Sequence, residues 1–314
     1  MKEIKFFPIT FFASVMGLSG YVIAFSRLNE IFQLGQDHLA HFFIYAVTVW
    51  FFIVLIFYFL KLILYREEVK KDINHPIRIH FIPTISISLI LLSIAYQKIS
   101  KDISFIFWIT GSFLHFVILL FILNRWFFHD FKINFKNPSW FIPVVGPILI
   151  PISGVNFSYE LSWFFYSIGI TLWIPLLAIL LYRLIFHEPM PIKLLPTYTI
   201  LLAPPAVAFI SYIRLVEHLD IFAKILFYFG IFMFFMLISF LQRFIKISFF
   251  LSWWAYTFPM AAFTISVILY YNLTKILFFN YMSIVMFIFT TIIIIVVLIK
   301  TIQAIIKGEI FVEE

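Results

Sequence analysis

The chain has 314 residues, 64% of them hydrophobic and 12% charged, with a mean hydropathy of +1.08 and a formal net charge of +7. Soluble domains carry about 25% charged residues, so this composition excludes an ordinary soluble protein and points to an integral membrane protein. Cysteine is absent, which excludes a disulfide framework and any thiol chemistry.

Apolar stretches recur from end to end, and a helix needs roughly 20 such residues to cross a bilayer. Ten are predicted, over residues 8–26, 38–64, 80–96, 103–124, 139–156, 160–184, 195–214, 219–242, 249–271 and 278–300. The fifth is the weakest, being short and rich in proline. The runs are continuous rather than alternating with a period of two, so a membrane β-barrel is excluded. The first stretch follows Met1 to Lys5 as in a signal peptide, but no small-residue cleavage site follows it, and it is expected to stay. The whole of 1–314 reads as a single membrane domain.

Prolines cluster in every second stretch. Pro8 lies in the first, Pro83 in the third, Pro143, Pro147 and Pro151 in the fifth, Pro204 and Pro205 in the seventh, and Pro259 in the ninth. Of the even stretches only the sixth carries one, Pro175. A proline inside a helix removes a backbone donor and clashes one turn back. In hydrocarbon that defect is tolerated only where protein or a water-filled cavity takes up the freed carbonyls. Odd helices are therefore expected to be kinked and to line a shared interior, with the even helices packed around them, as in a pore or a carrier.

Orientation follows from Lys and Arg alone. Sixteen of the 22 fall on one side of this arrangement, which puts both termini in the cytoplasm and suits an inner (cytoplasmic) membrane of bacterial type. The positive charge is then accounted for by this bias and by anionic head groups, and no nucleic-acid partner is expected.

Charges at bilayer depth are costly and usually functional. No Asp, Glu, Lys or Arg lies near the centre of any stretch, so catalysis has no candidate residues, and an enzyme is not expected. His115 is the main titratable group at depth. It can relay protons, or it can be a neutral side chain bonded to a facing helix, and its even-numbered stretch favours the second. His38 and His41 are three apart, a spacing that can hold a metal, but no third ligand is near, so no metal site is expected. His187-Glu188 has no second histidine four residues on, and no phosphate-binding loop or dinucleotide fingerprint occurs, so no cofactor is expected. The missing intramembrane carboxylates weigh against ion-coupled transport, whereas a passive conduit needs only a passage, selectivity and a gate.

Phenylalanine is abundant, with 45 copies. Most serve lipid contact and packing, but Phe258 stands about ten residues into its stretch, or about 15 Å by helix rise, and Pro259 follows it. A ring there can close a narrow pore without any charge.

Trp253-Trp254-Ala255-Tyr256-Thr257-Phe258-Pro259-Met260 resembles the ninth helix of the plant slow-type anion channels and of their bacterial relatives, the TehA or tellurite-resistance/dicarboxylate transporter family. His75-Pro76-Ile77-Arg78-Ile79-His80-Phe81 is similar to the segment that leads into that family's third helix. Asn137-Pro138-Ser139 resembles the start of the fifth, and Pro196-Thr197 with Ala203-Pro204-Pro205-Ala206 the seventh. Gly17 and Gly20 suit a glycine-bearing first helix. Order and spacing agree from about residue 6 to 275.

The resemblance implies an all-α membrane protein of ten transmembrane helices, arranged as five hairpins in a ring. Odd helices would line a central pore in each subunit of a homotrimer, with Phe258 as the plug. Phe81 stands near a second pore-facing phenylalanine position. Gly17, Pro83, Pro143, Gly146, Pro204 and Pro259 are further candidate pore-lining residues. The plant members' regulatory tails have no counterpart, so control by a kinase is not expected. The function expected is a passive anion channel with an uncharged pore. Nitrate and iodide would pass more readily than chloride, because they shed water more cheaply. The alternative is a secondary transporter of sulfite, tellurite-related anions or C4-dicarboxylates.

Overall fold

The computed structural model describes residues 2–312 and, within them, is built of helices. Ten segments organise it, labelled here α1 (Ile9–Phe32), α2 (Asp37–Leu64), α3 (Arg78–Tyr96), α4 (Lys101–Phe128), α5 (Pro138–Gly154), α6 (Tyr159–Phe186), α7 (Ile192–Val216), α8 (Ile221–Ser239), α9 (Leu251–Thr274) and α10 (Leu277–Ile306). Among the described residues nine are long and apolar enough to cross a membrane. The exception is α5, which at 17 residues falls short of the full span expected from the sequence. Every one of its residues is buried, so none of its faces is on the outer surface and it need not match the hydrocarbon thickness by itself.

Burial alternates along the chain. In α1, α3, α7 and α9 the most apolar windows are 67%, 83%, 83% and 72% buried, whereas in α2, α4, α6, α8 and α10 they are 28–39% buried. The even helices turn Phe42, Phe59, Phe113, Phe186, Phe232 and Phe278 outward, as a lipid-facing layer does. The inner segments close on one another: α1 touches α3, α3 touches α5, α5 touches α7, α7 touches α9, and α9 returns to α1. Each outer helix packs against the inner segment that precedes it in the chain.

The prolines act at the starts of the inner segments rather than as bends halfway along. Each inner segment opens with a tight 3-10 stretch and then relaxes into α-helix: Ile9–Phe11, Arg78–Phe81, Pro138–Phe141, Ile192–Leu202 and Leu251–Tyr256. Pro83, Pro143, Pro204 and Pro259 stand at the start of the α-helical part or within its first turn, where a missing N–H costs least. Only Pro147 and Pro175 sit farther inside an α-helical run.

The carbonyls at these junctions are taken up by hydroxyls three residues on. Ser14 donates to Phe11 O (2.7 Å) and Thr257 to Trp254 O (2.7 Å), while Ser86 and Thr199 lie 2.9 and 2.7 Å from Pro83 O and Pro196 O and share their single protons with His115 Nδ1 and Ala255 O. Buried backbone oxygens in hydrocarbon need such partners. In α5 a neighbouring helix does the same work, since His115 of α4 donates from Nε2 to Pro143 O at 2.9 Å.

All five inner segments run in the same direction, so their 3-10 ends gather at the face that carries most of the Lys and Arg, the basic end. There the short helix Arg66–Asn74 is pinned by a buried ion pair, Lys61 Nζ to Asp72 Oδ2 at 2.6 Å. Lys61 also donates to Phe7 O (2.9 Å), and Arg78 lies 3.3 Å from Asp72 Oδ1.

Candidate functional site

Two cavities lie within the ring of inner segments. The first opens toward the far end, opposite the basic one, and has a volume of about 240 Å³. The second lies toward the basic end and holds about 40 Å³. Most of the residues each inner segment supplies to them fall on one stripe, stepping three and four residues alternately as one face of a helix must, with Ile31, Trp254, Pro259 and Ile268 beside it. On α1 the stripe is Ala13, Met16, Gly20, Ile23, Arg27 and Glu30. On α3 it is Thr84, Ile87, Leu91 and Ile94, and on α5 Ile142, Val145, Leu149 and Ile152. On α7 it is Ile200, Ala203, Val207, Ile210 and Arg214, and on α9 Ala255, Phe258, Ala262, Ile265, Leu269 and Asn272.

Phe258 is the one residue common to both cavities, so its ring forms part of the partition between them. It is 6% exposed. Space for the ring comes from Gly20, where an added Cβ would stand 3.2 Å from Phe258 Cδ2 and 3.1 Å from Ala261 Cβ. The backbone that carries Phe258 is held at the 3-10 junction by Thr257 and by Thr199 of α7, whose hydroxyl lies 2.7 Å from Ala255 O and divides its proton between that oxygen and Pro196 O. Phe81 and Pro259 line the smaller cavity.

The other expected lining residues lie behind the walls. Gly17 is a packing glycine: a Cβ there would come within 1.9 Å of Thr257 Oγ1, so its role is the close approach of α1 to α9. Gly146 accommodates the ring of His115, whose atoms lie 2.0–2.5 Å from where its Cβ would stand. Pro83 and Pro143 offer carbonyls to Ser86 and His115, and Pro204 is buried at the start of the α-helical part of α7. These five therefore belong to helix packing and junction geometry, because the α-helical stripe that faces the cavities passes them by. The same contacts assign His115: its ring nitrogens meet Pro143 O and Ser86 Oγ, both at 2.9 Å, and tie α3, α4 and α5 together.

The walls between the ends are aliphatic and aromatic, and charge collects at the mouth of the larger cavity. Arg27 and Arg214 line it, with Glu30 and Asn272. Glu30 sits between two cations, with Oε2 3.1 Å from Arg27 and Oε1 2.7 Å from Lys98. The Arg214 guanidinium donates to Ile152 O (3.3 Å) and Asn156 Oδ1 (3.4 Å) and has no carboxylate partner among the described residues. In the lining of the larger cavity two cations, Arg27 and Arg214, therefore face one carboxylate, Glu30, while Glu217 lies near enough to act on Arg214. A search for charges at mid-span misses them. The signal lies in the stripe itself, since Arg27 and Arg214 continue the three-four stepping of α1 and α7.

A third cavity, about 420 Å³, adjoins this mouth and is lined by Asn29, Asp37, His41, Gln97 and Lys98 together with Arg27 and Glu30. His41 finds no ligand set there: no group of three or more His, Cys, Asp or Glu is placed to hold a metal among the described residues.

An all-helical membrane protein with two cavities that share one aromatic ring, the larger lined at its mouth by Arg27, Glu30 and Arg214, has the layout of a channel or carrier for small solutes. Over residues 6–302 the sequence matches the family described as voltage-dependent anion channels, SLAC1 type, and the chain belongs to that family. It is 27% identical to the uncharacterized transporter MJ0762 of Methanocaldococcus jannaschii, over 98% of this chain and 97% of that one. It is 29% identical to the S-type anion channel SLAH3 of Arabidopsis thaliana, over 86% of this chain but 44% of the longer plant protein. It is also 26% identical to the tellurite resistance protein TehA homolog of Haemophilus influenzae, over 84% and 81% of the two chains.

Proposed function

We propose that this protein is a passive anion channel of ten membrane crossings, arranged as five hairpins around a pore in each subunit of a homotrimer. Both termini are cytoplasmic in this reading, so the basic end faces the cytoplasm. The observation that carries it is the place of Phe258, the single side chain shared by the two axial cavities. The ring is the gate: it closes the path sterically and by drying it, so no charge is needed at the constriction.

Anions enter at the far end past Arg27 and Arg214, two cations against the single carboxylate of Glu30 in that lining, which attract them there. Beyond that mouth the wall offers few polar groups, so an ion must shed much of its water. Permeation then favours the anions that lose water most cheaply, nitrate and iodide ahead of chloride, with fluoride and cations excluded. A gradient-coupled carrier of sulfite or dicarboxylates is less well supported, because no titratable side chain lines the path between Phe81 and Arg27 among the described residues.

Currents across planar bilayers containing the purified protein, with one anion exchanged for another, test this. The reversal potential should shift toward nitrate when nitrate faces chloride. A cation-selective reversal, or flux that stops without a second ion gradient, rejects the channel.

A further inference from the structure

Glu30 has a position that the gate does not explain. It lines the axial cavity and also the adjoining side cavity, and its carboxylate is divided between Arg27, which lines both, and Lys98, which lines the second alone. Arg27 belongs to the axial stripe, whereas Lys98 lines only the side cavity. The distances are unequal, 3.1 Å to Arg27 against 2.7 Å to Lys98, and the Lys98 contact joins Glu30 to the loop after α3. Both contacts are partly exposed, with 43% of the Glu30 side chain and 64% of the Lys98 side chain accessible, so the carboxylate has room to pass from one cation to the other.

We infer that Glu30 is a tethered anion that competes with the permeating one for Arg27, and that Lys98 draws it off the axis. This rests on the anion-channel reading and adds to it a binding site, formed by Arg27 and Arg214, for a single inorganic anion. When Glu30 leans on Arg27 the mouth is satisfied internally and holds a free anion poorly. When Glu30 leans on Lys98 the Arg27 guanidinium is released, and with Arg214 it can take an anion from solution through charge-assisted hydrogen bonds. The side cavity, polar and about 420 Å³, is where the carboxylate withdraws. The pair of residues thus sets how fully the mouth is occupied at a given anion concentration, and the rate at which anions reach the gate.

The test compares the wild-type protein with Glu30→Gln and Lys98→Gln, all in the full chain and checked for unchanged thermal midpoints. Nitrate binding is measured by calorimetry in detergent, which does not depend on the gate, and nitrate current by planar bilayer at low salt. Removing the competitor should tighten nitrate binding about 2- to 5-fold, the range that partly exposed ion pairs support. Lys98→Gln should weaken it by a similar factor, and Lys98→Arg should restore it. In an Arg27→Gln background the Glu30→Gln effect should vanish. Because these are screened charges, the differences should also fade at about 1 M salt, where the Debye length is about 3 Å. A structural role for Glu30 would not predict that salt dependence. Unchanged nitrate binding in Glu30→Gln and Lys98→Gln, while the wild type still carries anion current, overturns the competitor and leaves the channel standing. A wild type that carries no anion current overturns both.

Discussion

Truncating Phe258 tests the proposal that its ring is the gate. Phe258→Ala removes the one ring shared by the cavities of about 240 and 40 Å³ and should merge them. With the ring in place, a passing anion must give up contacts with water that nothing on the aliphatic wall replaces. A hydrogen bond to a charged group is worth about 1.5–3 kcal/mol. If the wider passage lets the ion keep one such water, the barrier falls by that amount and conductance rises about 10- to 150-fold. Leucine, retaining much of the bulk, should fall between phenylalanine and alanine. The stability cost should lie below the about 3–5 kcal/mol of a phenylalanine packed on all sides, because this one borders open space on two. Single-channel recording across the Phe, Leu, Ala series gives the answer. A series of folded variants with equal conductance refutes the reasoning, since it places the resistance elsewhere.

Four further outcomes are expected. Gly20→Ala presses a methyl group against the Phe258 ring and should change conductance at least about 3-fold, an effect that disappears when combined with Phe258→Ala; equal effects in both backgrounds would sink it. Asp72→Asn leaves Lys61 buried beside a neutral partner and should cost about 3–5 kcal/mol in stability, read as a lower thermal midpoint. His115→Ala strips Pro143 O of its donor and empties the space against Gly146, which should cost about 2–4 kcal/mol with anion selectivity unchanged; altered selectivity would return His115 to the pathway. His75, at the basic end outside the helical spans, is held below its ordinary value of 6.5 by burial and then by Arg78, while its Nδ1 accepts from Ile77 N and Arg78 N. The unfolded chain therefore binds the proton first as pH falls, so His75 contributes stability that is present at neutral pH and lost as pH drops below about 6.5; an NMR titration at or above the ordinary value contradicts this.

Much of this architecture is legible in the sequence because proline position and burial answer to the same constraint. A carbonyl freed in hydrocarbon needs a protein partner, so proline-bearing segments sit inside, and the burial of α1, α3, α5, α7 and α9 follows. What is not legible is where along a segment the disruption falls. Pro259 resembles a mid-span kink by its distance from the charged loops, yet it stands in the first turn of an α-helical run after a 3-10 stretch. Phe258 stands out in the sequence because an aromatic next to such a junction has a distinctive place in the chain, and hydrogen bonds at Thr257 and Ala255 fix the backbone there.

Glycine gives the opposite lesson. Gly17 and Gly20 are three residues apart on one helix, but only Gly20 lines a cavity, while Gly17 is pressed against Thr257. Composition cannot distinguish a glycine that opens a path from one that lets helices approach, because that depends on a neighbour distant in sequence. Arg27 and Arg214 are hidden for another reason. Each stands near the end of its stretch, where a basic residue reads as an orientation signal, and only the closed ring brings the two to one mouth.

Because the chain has no cysteine, thiol labelling reports a single introduced site without background. Ala262→Cys places that thiol in the larger cavity, one turn beyond Phe258 on the far side. An anionic thiol reagent should reach it from the far face alone while the ring is present, and from both faces once Phe258→Ala is added. Labelling from neither face, or labelling from both that is indifferent to the ring, contradicts a single axial path closed by that side chain.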